Sequence, residues 1–172
     1  MTVTINRLSV PALVGVLAVA AGTSVASADL FTFTYTDTNG VVAGGNLDAT
    51  DNGDGTLTCV TGDITFSAGP IAGTFPLFPG SGYSPSGGYI FNNILYTGPV
   101  SLDGYGLLFR DTVTGQEMNI WGNGGATNYT LHSQMGYVSE YNGTFILTAV
   151  PAPASAAALG VGLLASSRRR RV

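Results

Sequence analysis

The chain has no lysine. Five of its six arginines sit at the two ends, Arg7 and the run Arg168, Arg169, Arg170 and Arg171, and Arg110 is the single cation between them. All ten Asp and Glu lie from Asp29 to Glu140. Such a chain has almost nothing with which to displace phosphate counterions, so nucleic acid is excluded as a partner. An acidic surface fits solubility outside a cell or contact with divalent cations. Cysteine is as scarce: Cys59 is alone, so no internal disulfide exists and the fold must rest on its core. Alternation along Thr56-Leu57-Thr58-Cys59-Val60 puts the thiol on the face of Leu57, as a buried core group. There is one histidine, His132, hence no histidine metal cluster, and no Gly-x-Ser-x-Gly nucleophile turn. Between the ends no window keeps a 3.6-residue apolar period, which excludes a helix-built domain.

What the middle does contain is the side-chain set of pleated sheets. Every Phe and Tyr, with Trp121, falls there among many Thr, Ile and Val. Leu30 to Thr36 alternates strictly, Phe31, Phe33 and Tyr35 on one face and three threonines on the other, as a half-buried strand does. Asn39-Gly40 predicts a turn into an extended piece at Asn46 to Thr50. Asn52-Gly53-Asp54-Gly55 then predicts a hairpin into Thr56 to Val60, with a further turn at Thr61-Gly62 before Asp63 to Ser67. From Ala68 to Pro99 prolines and glycines interrupt isolated aromatics, predicting a long ordered loop with short edge strands at Ile71 to Phe75 and Tyr89 to Tyr96. Tyr105 to Arg110, apolar on both faces, pairs through Thr114-Gly115 with Gln116 to Trp121. Tyr129 to His132, Tyr137 to Tyr141 and Thr144 to Ala149 complete the set. Short strands with frequent turns predict an all-β single domain over 29–149, an antiparallel β-sandwich of jelly-roll-like form. It is flanked by an N-terminal signal-peptide helix at 1–28 and a C-terminal hydrophobic helix within 150–172. No repeat of fixed period supports a solenoid.

The two ends carry an address. Arg7, the apolar Leu8 to Gly22 and the small-residue site Ala26-Ser27-Ala28 read as a secretory signal peptide, cut before Asp29. At the other end Val150-Pro151-Ala152-Pro153 precedes an Ala/Leu/Gly run, Ala154 to Ser167, and then Arg168 to Arg171. Guanidinium groups resist crossing a bilayer and mark the cytoplasmic side. As a helix the run reaches roughly 21 Å, short of a hydrocarbon core of about 30 Å, which favours a transient stop over a permanent anchor.

This order of Pro-x-Pro, short apolar run and terminal arginines resembles the PEP-CTERM sorting signal of bacterial exported proteins, with Ala152 where that family usually has Glu. The resemblance covers only 150–172. It implies a transient membrane precursor, handled by signal peptidase and by an exosortase-type membrane transpeptidase that removes the tail near Pro151, Ala152 and Pro153. The implied destination of the rest is the cell surface or extracellular matrix.

Candidate chemistry in the middle is sparse. Asp48, Asp51, Asn52 and Asp54 crowd hard oxygens as Ca²⁺ requires, but their spacing fails the helical calcium loop and suits a solvated hairpin turn. His132 has Glu117 and Glu140 as conceivable proton-transfer partners, although a lone strand histidine reads as structural. Tyr83, Tyr89, Tyr96 and Trp121 suit either a core or a platform for sugar rings. Asn128-Tyr129-Thr130 and Asn142-Gly143-Thr144 match the glycosylation triplet and equally suit turns. The expectation is therefore a non-enzymatic exported protein, without cofactor or metal, structural or adhesive in a layer containing extracellular polysaccharide. A carbohydrate-binding module built on the 68–99 loop is the first alternative. A glycan hydrolase drawing paired carboxylates from Asp103, Asp111, Glu117 and Glu140 is the second.

Overall fold

A computed structural model describes residues 28–139 and 142–151. Among these there is no helix, and every regular element is an antiparallel strand. The expected flanking helices, and with them Ala26, Ala152, Pro153 and Arg168 to Arg171, lie outside the described residues, as does Glu140.

β1 (Ala28–Asp37) has β2 (Val42–Asp51) on one side and β12 (Gly143–Ala149) on the other. The predicted alternation holds: Phe31, Phe33 and Tyr35 point inward and are buried. The turn from β1 to β2 is built by Asp37, whose Oδ1 accepts from the backbone N–H of Asn39 and Val41, with Gly40 at φ 85°. The Asn52-Gly53-Asp54-Gly55 hairpin also forms, leading into β3 (Thr56–Ala68).

β3 corrects one expectation, since Thr61-Gly62 is not a turn. Thr56 to Ala68 runs as one strand with a bulge: Asp48 lies opposite Thr61 and Ala49 opposite Cys59, leaving Val60 as the extra residue. The insertion reverses the inward parity, so Leu57 and Cys59 face the core before it, and Ile64 and Phe66 after it. Gly62 sits where a Cβ would come within 2.4 Å of the Asn46 carbonyl oxygen; glycine there serves a close strand approach.

The 68–99 stretch contains β4 (Gly73–Pro76), β5 (Gly82–Tyr83), β6 (Ile90–Phe91) and β7 (Ile94–Tyr96). β4 and β7 both pair with β3, while β5 and β6 form a small hairpin of their own. β8 (Leu107–Arg110), β9 (Glu117–Gly122), β10 (Tyr129–Ser133) and β11 (Tyr137–Val138) follow.

The principal sheet runs β4-β3-β2-β1-β12-β10-β9-β8. Its two margins then meet: Leu77 forms a bridge with Phe109, and the Phe78 N–H donates to the Leu108 carbonyl at 2.8 Å. The two layers of a sandwich are thus one antiparallel sheet curled over until it nearly closes on itself, which removes most of its open edge. Its halves meet in a single apolar interior, where Phe33 stacks on Phe145 at 5.0 Å and contacts Phe109 at 6.1 Å. Cys59 is buried in the same interior, as its alternation predicts, and burial pushes its thiol pKa up to about 12.

Tyr35 carries a polar group into this core. Its hydroxyl donates to Ser139 Oγ at 2.7 Å, and Ser139 Oγ in turn accepts the Leu131 N–H. Gly143 leaves room for the ring, because a Cβ there would lie 2.3 Å from the Tyr35 hydroxyl.

A second, smaller apolar cluster lies on the outer side of the sheet. Tyr89 and Phe91, with Phe78, pack over Leu108. This covering explains why β8 is apolar on both faces: the segment between β4 and β7 folds back over it.

Candidate functional site

The fold-back segment is held by two polar devices that single-sequence reasoning misses. The first is Asn93, fully buried at φ 53°, a left-handed conformation that asparagine tolerates better than most residues. Its Nδ2 donates to the carbonyls of Phe78 (2.7 Å) and Gly80 (3.0 Å), and its Oδ1 accepts the Leu108 N–H at 3.1 Å. One amide therefore joins the segment to β8. The second is Glu117, only 1% exposed, whose carboxylate accepts from both the N–H and the hydroxyl of Ser86. Arg110 lies beside it, Nε at 3.4 Å from Oε1 but not aligned for a hydrogen bond, with its guanidinium over the Phe78 ring. The charged pair thus serves to pin a loop.

Where this segment ends, the outer face of β9 and β10 is left open. An open depression of about 290 Å³ lies there, lined by Gly88, Tyr89, Ile90, Gly104, Tyr105, Asn119, Trp121 and His132. The strand register brings it together: Asn119 stands directly opposite His132, and Trp121 is two residues along β9 on the same face. The Tyr89 ring meets His132 edge-on at 5.4 Å, and the Trp121 ring lies 6.5 Å from it. Tyr89 is raised to about pKa 12, chiefly by burial and then by the nearby Glu117 charge, so its hydroxyl is neutral.

Asn119 supplies the floor. Its Nδ2 donates to the carbonyls of Tyr105 (3.0 Å) and Ile90 (3.4 Å), which fixes the orientation of the amide. Its Oδ1 is buried without a hydrogen-bond partner. An acceptor left so costs about 1–3 kcal/mol, which marks this position out within the otherwise apolar Met118-Asn119-Ile120.

The expected four-aromatic platform is divided by the fold. Tyr89 and Trp121 share the depression; Tyr83 stands 74% exposed on β5, and Tyr96 lines a separate depression of about 260 Å³ with Phe31, Leu57 and Leu147. Tyr105, Asn119 and His132 take the vacant roles. The signal for them is the cross-strand register, which cannot be read from one strand at a time.

The candidate carboxylates are spent elsewhere. Asp103 accepts from the N–H groups of Tyr105 and Gly106, from Asn92 and from the Tyr96 hydroxyl. Partial burial pushes its pKa up, but these four bonds outweigh it and hold the group below the usual carboxylate value. Asp111 accepts from Thr114 and the Val113 N–H across the β8–β9 turn, and Glu117 pins Ser86. None of the three lines the depression.

The oxygens of 48–54 serve their hairpin. Asp51 accepts from the Gly53 N–H, Asp54 from the Thr56 N–H and hydroxyl, Asn52 bonds Thr56 and Thr58, and Asp48 accepts from Thr61. Among the described residues no group of three or more His, Cys, Asp or Glu is placed to hold a metal ion. Asn128 and Asn142 stand at turns flanking buried residues, Tyr129 beside the first and Gly143 beside the second. Comparison with known families, curated proteins and solved structures gives no match.

Proposed function

We propose that this chain is an exported cell-surface or matrix protein, non-catalytic, that adheres to extracellular polysaccharide through the outer face of its curled sheet. The observation that carries the adhesive part is the depression itself: rings of Tyr89, Tyr105 and Trp121 around a buried amide acceptor, with no carboxylate in its lining. Flat aromatic faces beside polar groups suit a sugar, whose ring is apolar on its faces and hydroxylated at its edge. Export rests on the sequence, where Ala26-Ser27-Ala28 before Asp29 and Pro151-Ala152-Pro153 with Arg168 to Arg171 bracket the domain. Signal peptidase and an exosortase-type transpeptidase are the processing partners this reading requires.

The test is intact-mass spectrometry on protein recovered from its native producer, in membrane, surface and medium fractions, combined with retention of that protein on the producer's insoluble polysaccharide. A species beginning at Asp29, ending between Pro151 and Pro153 and held by the polysaccharide is the expected result. A membrane species still carrying Arg168 to Arg171 overturns the sorting reading. Appearance of new reducing ends during incubation would instead favour the hydrolase reading.

A further inference from the structure

The depression carries more than a general affinity for glycans. Its volume, about 290 Å³, falls just below the roughly 300–1,000 Å³ of small-molecule sites, room for one ring rather than an extended chain. Its one orphaned group, Asn119 Oδ1, accepts hydrogen bonds and cannot donate, so its complement must bring a donor such as a hydroxyl. No cation lines it. The nearest acid on the same face of β9, Glu117, is occupied by Ser86 and Arg110, and its charge is already felt by Tyr89.

We infer that Tyr89, Tyr105, Asn119, Trp121 and His132 form a binding site for a single neutral sugar ring, one of whose hydroxyls donates to Asn119 Oδ1 while a ring face lies against Trp121. This deepens the adhesive reading and rests on it. The site discriminates by charge: a uronic acid would bring a carboxylate toward Glu117, into a lining that has no arginine or lysine to meet it. It discriminates by hydrogen bonding as well. A quaternary ammonium ion suits aromatic walls but has no donor for Asn119. Asn119 Oδ1 is covered by its neighbours, so a hydroxyl reaches it only if one of them shifts on binding. The His132 ring, on the strand position opposite Asn119, makes contacts to Tyr89 and Trp121 and no side-chain hydrogen bond among the described residues.

Trp121 is the only tryptophan of the chain and stands in the lining, so its fluorescence reports the site directly. The experiment titrates protein from the producer with glucose, galactose, mannose and N-acetylglucosamine, with glucuronic and galacturonic acids, and with tetramethylammonium. The expected result is a saturable emission change with at least one neutral sugar and an affinity at least tenfold lower for its uronic acid. Asn119→Ala and Tyr105→Ala each weaken the response about tenfold; Tyr105 is half-exposed, so its variant keeps the fold even if the Asn119 change does not.

Equal binding of the uronic acid, tighter binding of tetramethylammonium, no response to any neutral sugar, or unchanged binding by the Tyr105 variant overturns the inference. Retention on polysaccharide that survives both substitutions would leave the adhesive reading standing and move it to another surface. Loss of retention in the unaltered protein would remove both.

Discussion

Asn93 shows how much one side chain can hold. It is buried, left-handed and bonded to the backbone on both sides of the junction that otherwise rests on the Leu77–Phe109 bridge and one bond from Phe78 to Leu108. Asn93→Ala is expected to lower unfolding free energy by about 2–4 kcal/mol, since it leaves the Leu108 N–H and two carbonyls without this partner and keeps the backbone strain. Urea unfolding of the variant measures this. Asp103 gives a prediction in pH. Its folded pKa is depressed, so its stabilising contribution is complete above the unfolded carboxyl range, about pH 4, and is lost as pH falls through the lower folded value. Asp54 and Asp111 are also lowered, each chiefly by a threonine hydroxyl, so the acid limb is shared. Acid titration of Asp103→Asn should show a shallower loss of stability below pH 4 than the parent protein, with a lower plateau at neutral pH.

At the scale of elements, β3 is the strand on which closure depends. It pairs with β2, β4 and β7 at different points along its length, and the Val60 bulge is what lets it turn the correct side chains inward at both ends. Without Val60 the remaining residues would alternate regularly, with Leu57, Cys59, Ile64 and Phe66 all still on the inner face, so its deletion is expected to leave the cooperative thermal transition in place. An alanine inserted between Gly62 and Asp63 has no such escape: the added residue swings Leu57 and Cys59, or else Ile64 and Phe66, out of the core. Losing two such side chains costs about 4 kcal/mol or more, enough to abolish the transition of many domains this size. Thermal melts of the two variants check this, and a Val60 deletion that no longer melts cooperatively would show that the bulge itself is required. β9 teaches a different lesson. Met118 and Ile120 make the core, whereas Glu117, Asn119 and Trp121 face outward and hold first the loop and then the depression.

For the molecule as a whole, chain order and space order diverge. The first strand pairs with the last, Phe31 opposite Ala149, so the sheet cannot be completed until its final strand is available. Such long-range pairing implies slow folding relative to local topologies. The whole molecule also sets the alkaline limit. Tyr89 and Tyr137 are each raised to about 12, Tyr89 by burial and the Glu117 charge, Tyr137 by burial and its bond to Asp37; Cys59 is raised to about 12 by burial alone. Raised values mean that the neutral forms are favoured by folding. Their stabilising contribution is therefore complete below the unfolded values, about 8.5 for the thiol and 10 for the phenols, and is lost as pH rises toward 12. Denaturant midpoints should fall steeply above about pH 9 and stay level from there down to pH 6. A midpoint flat to pH 12 would contradict the buried placement of these groups.

Much of this was legible in the sequence because it is local. The alternation of Phe31, Phe33 and Tyr35, the Asn39-Gly40 and Asn52 to Gly55 turns, and the buried Cys59 all follow from a two-residue period and from backbone positions that few residues tolerate. The antiparallel all-β class follows from the same periodicity. What the sequence could not determine is which strands become neighbours. Thr61-Gly62 has the composition of a turn and becomes part of a bulged strand, because pairing with Asn46 to Asp48 rewards extension there more than local preference rewards a bend. The depression belongs to that second category. Asn119 meets His132, and Tyr89 reaches both, only through the β9–β10 register and a loop folded across β8, while Tyr83 and Tyr96 are carried away. Periodicity acts between residues a few positions apart and fixes which way a side chain faces. Only the packing of the closed sheet decides what it faces.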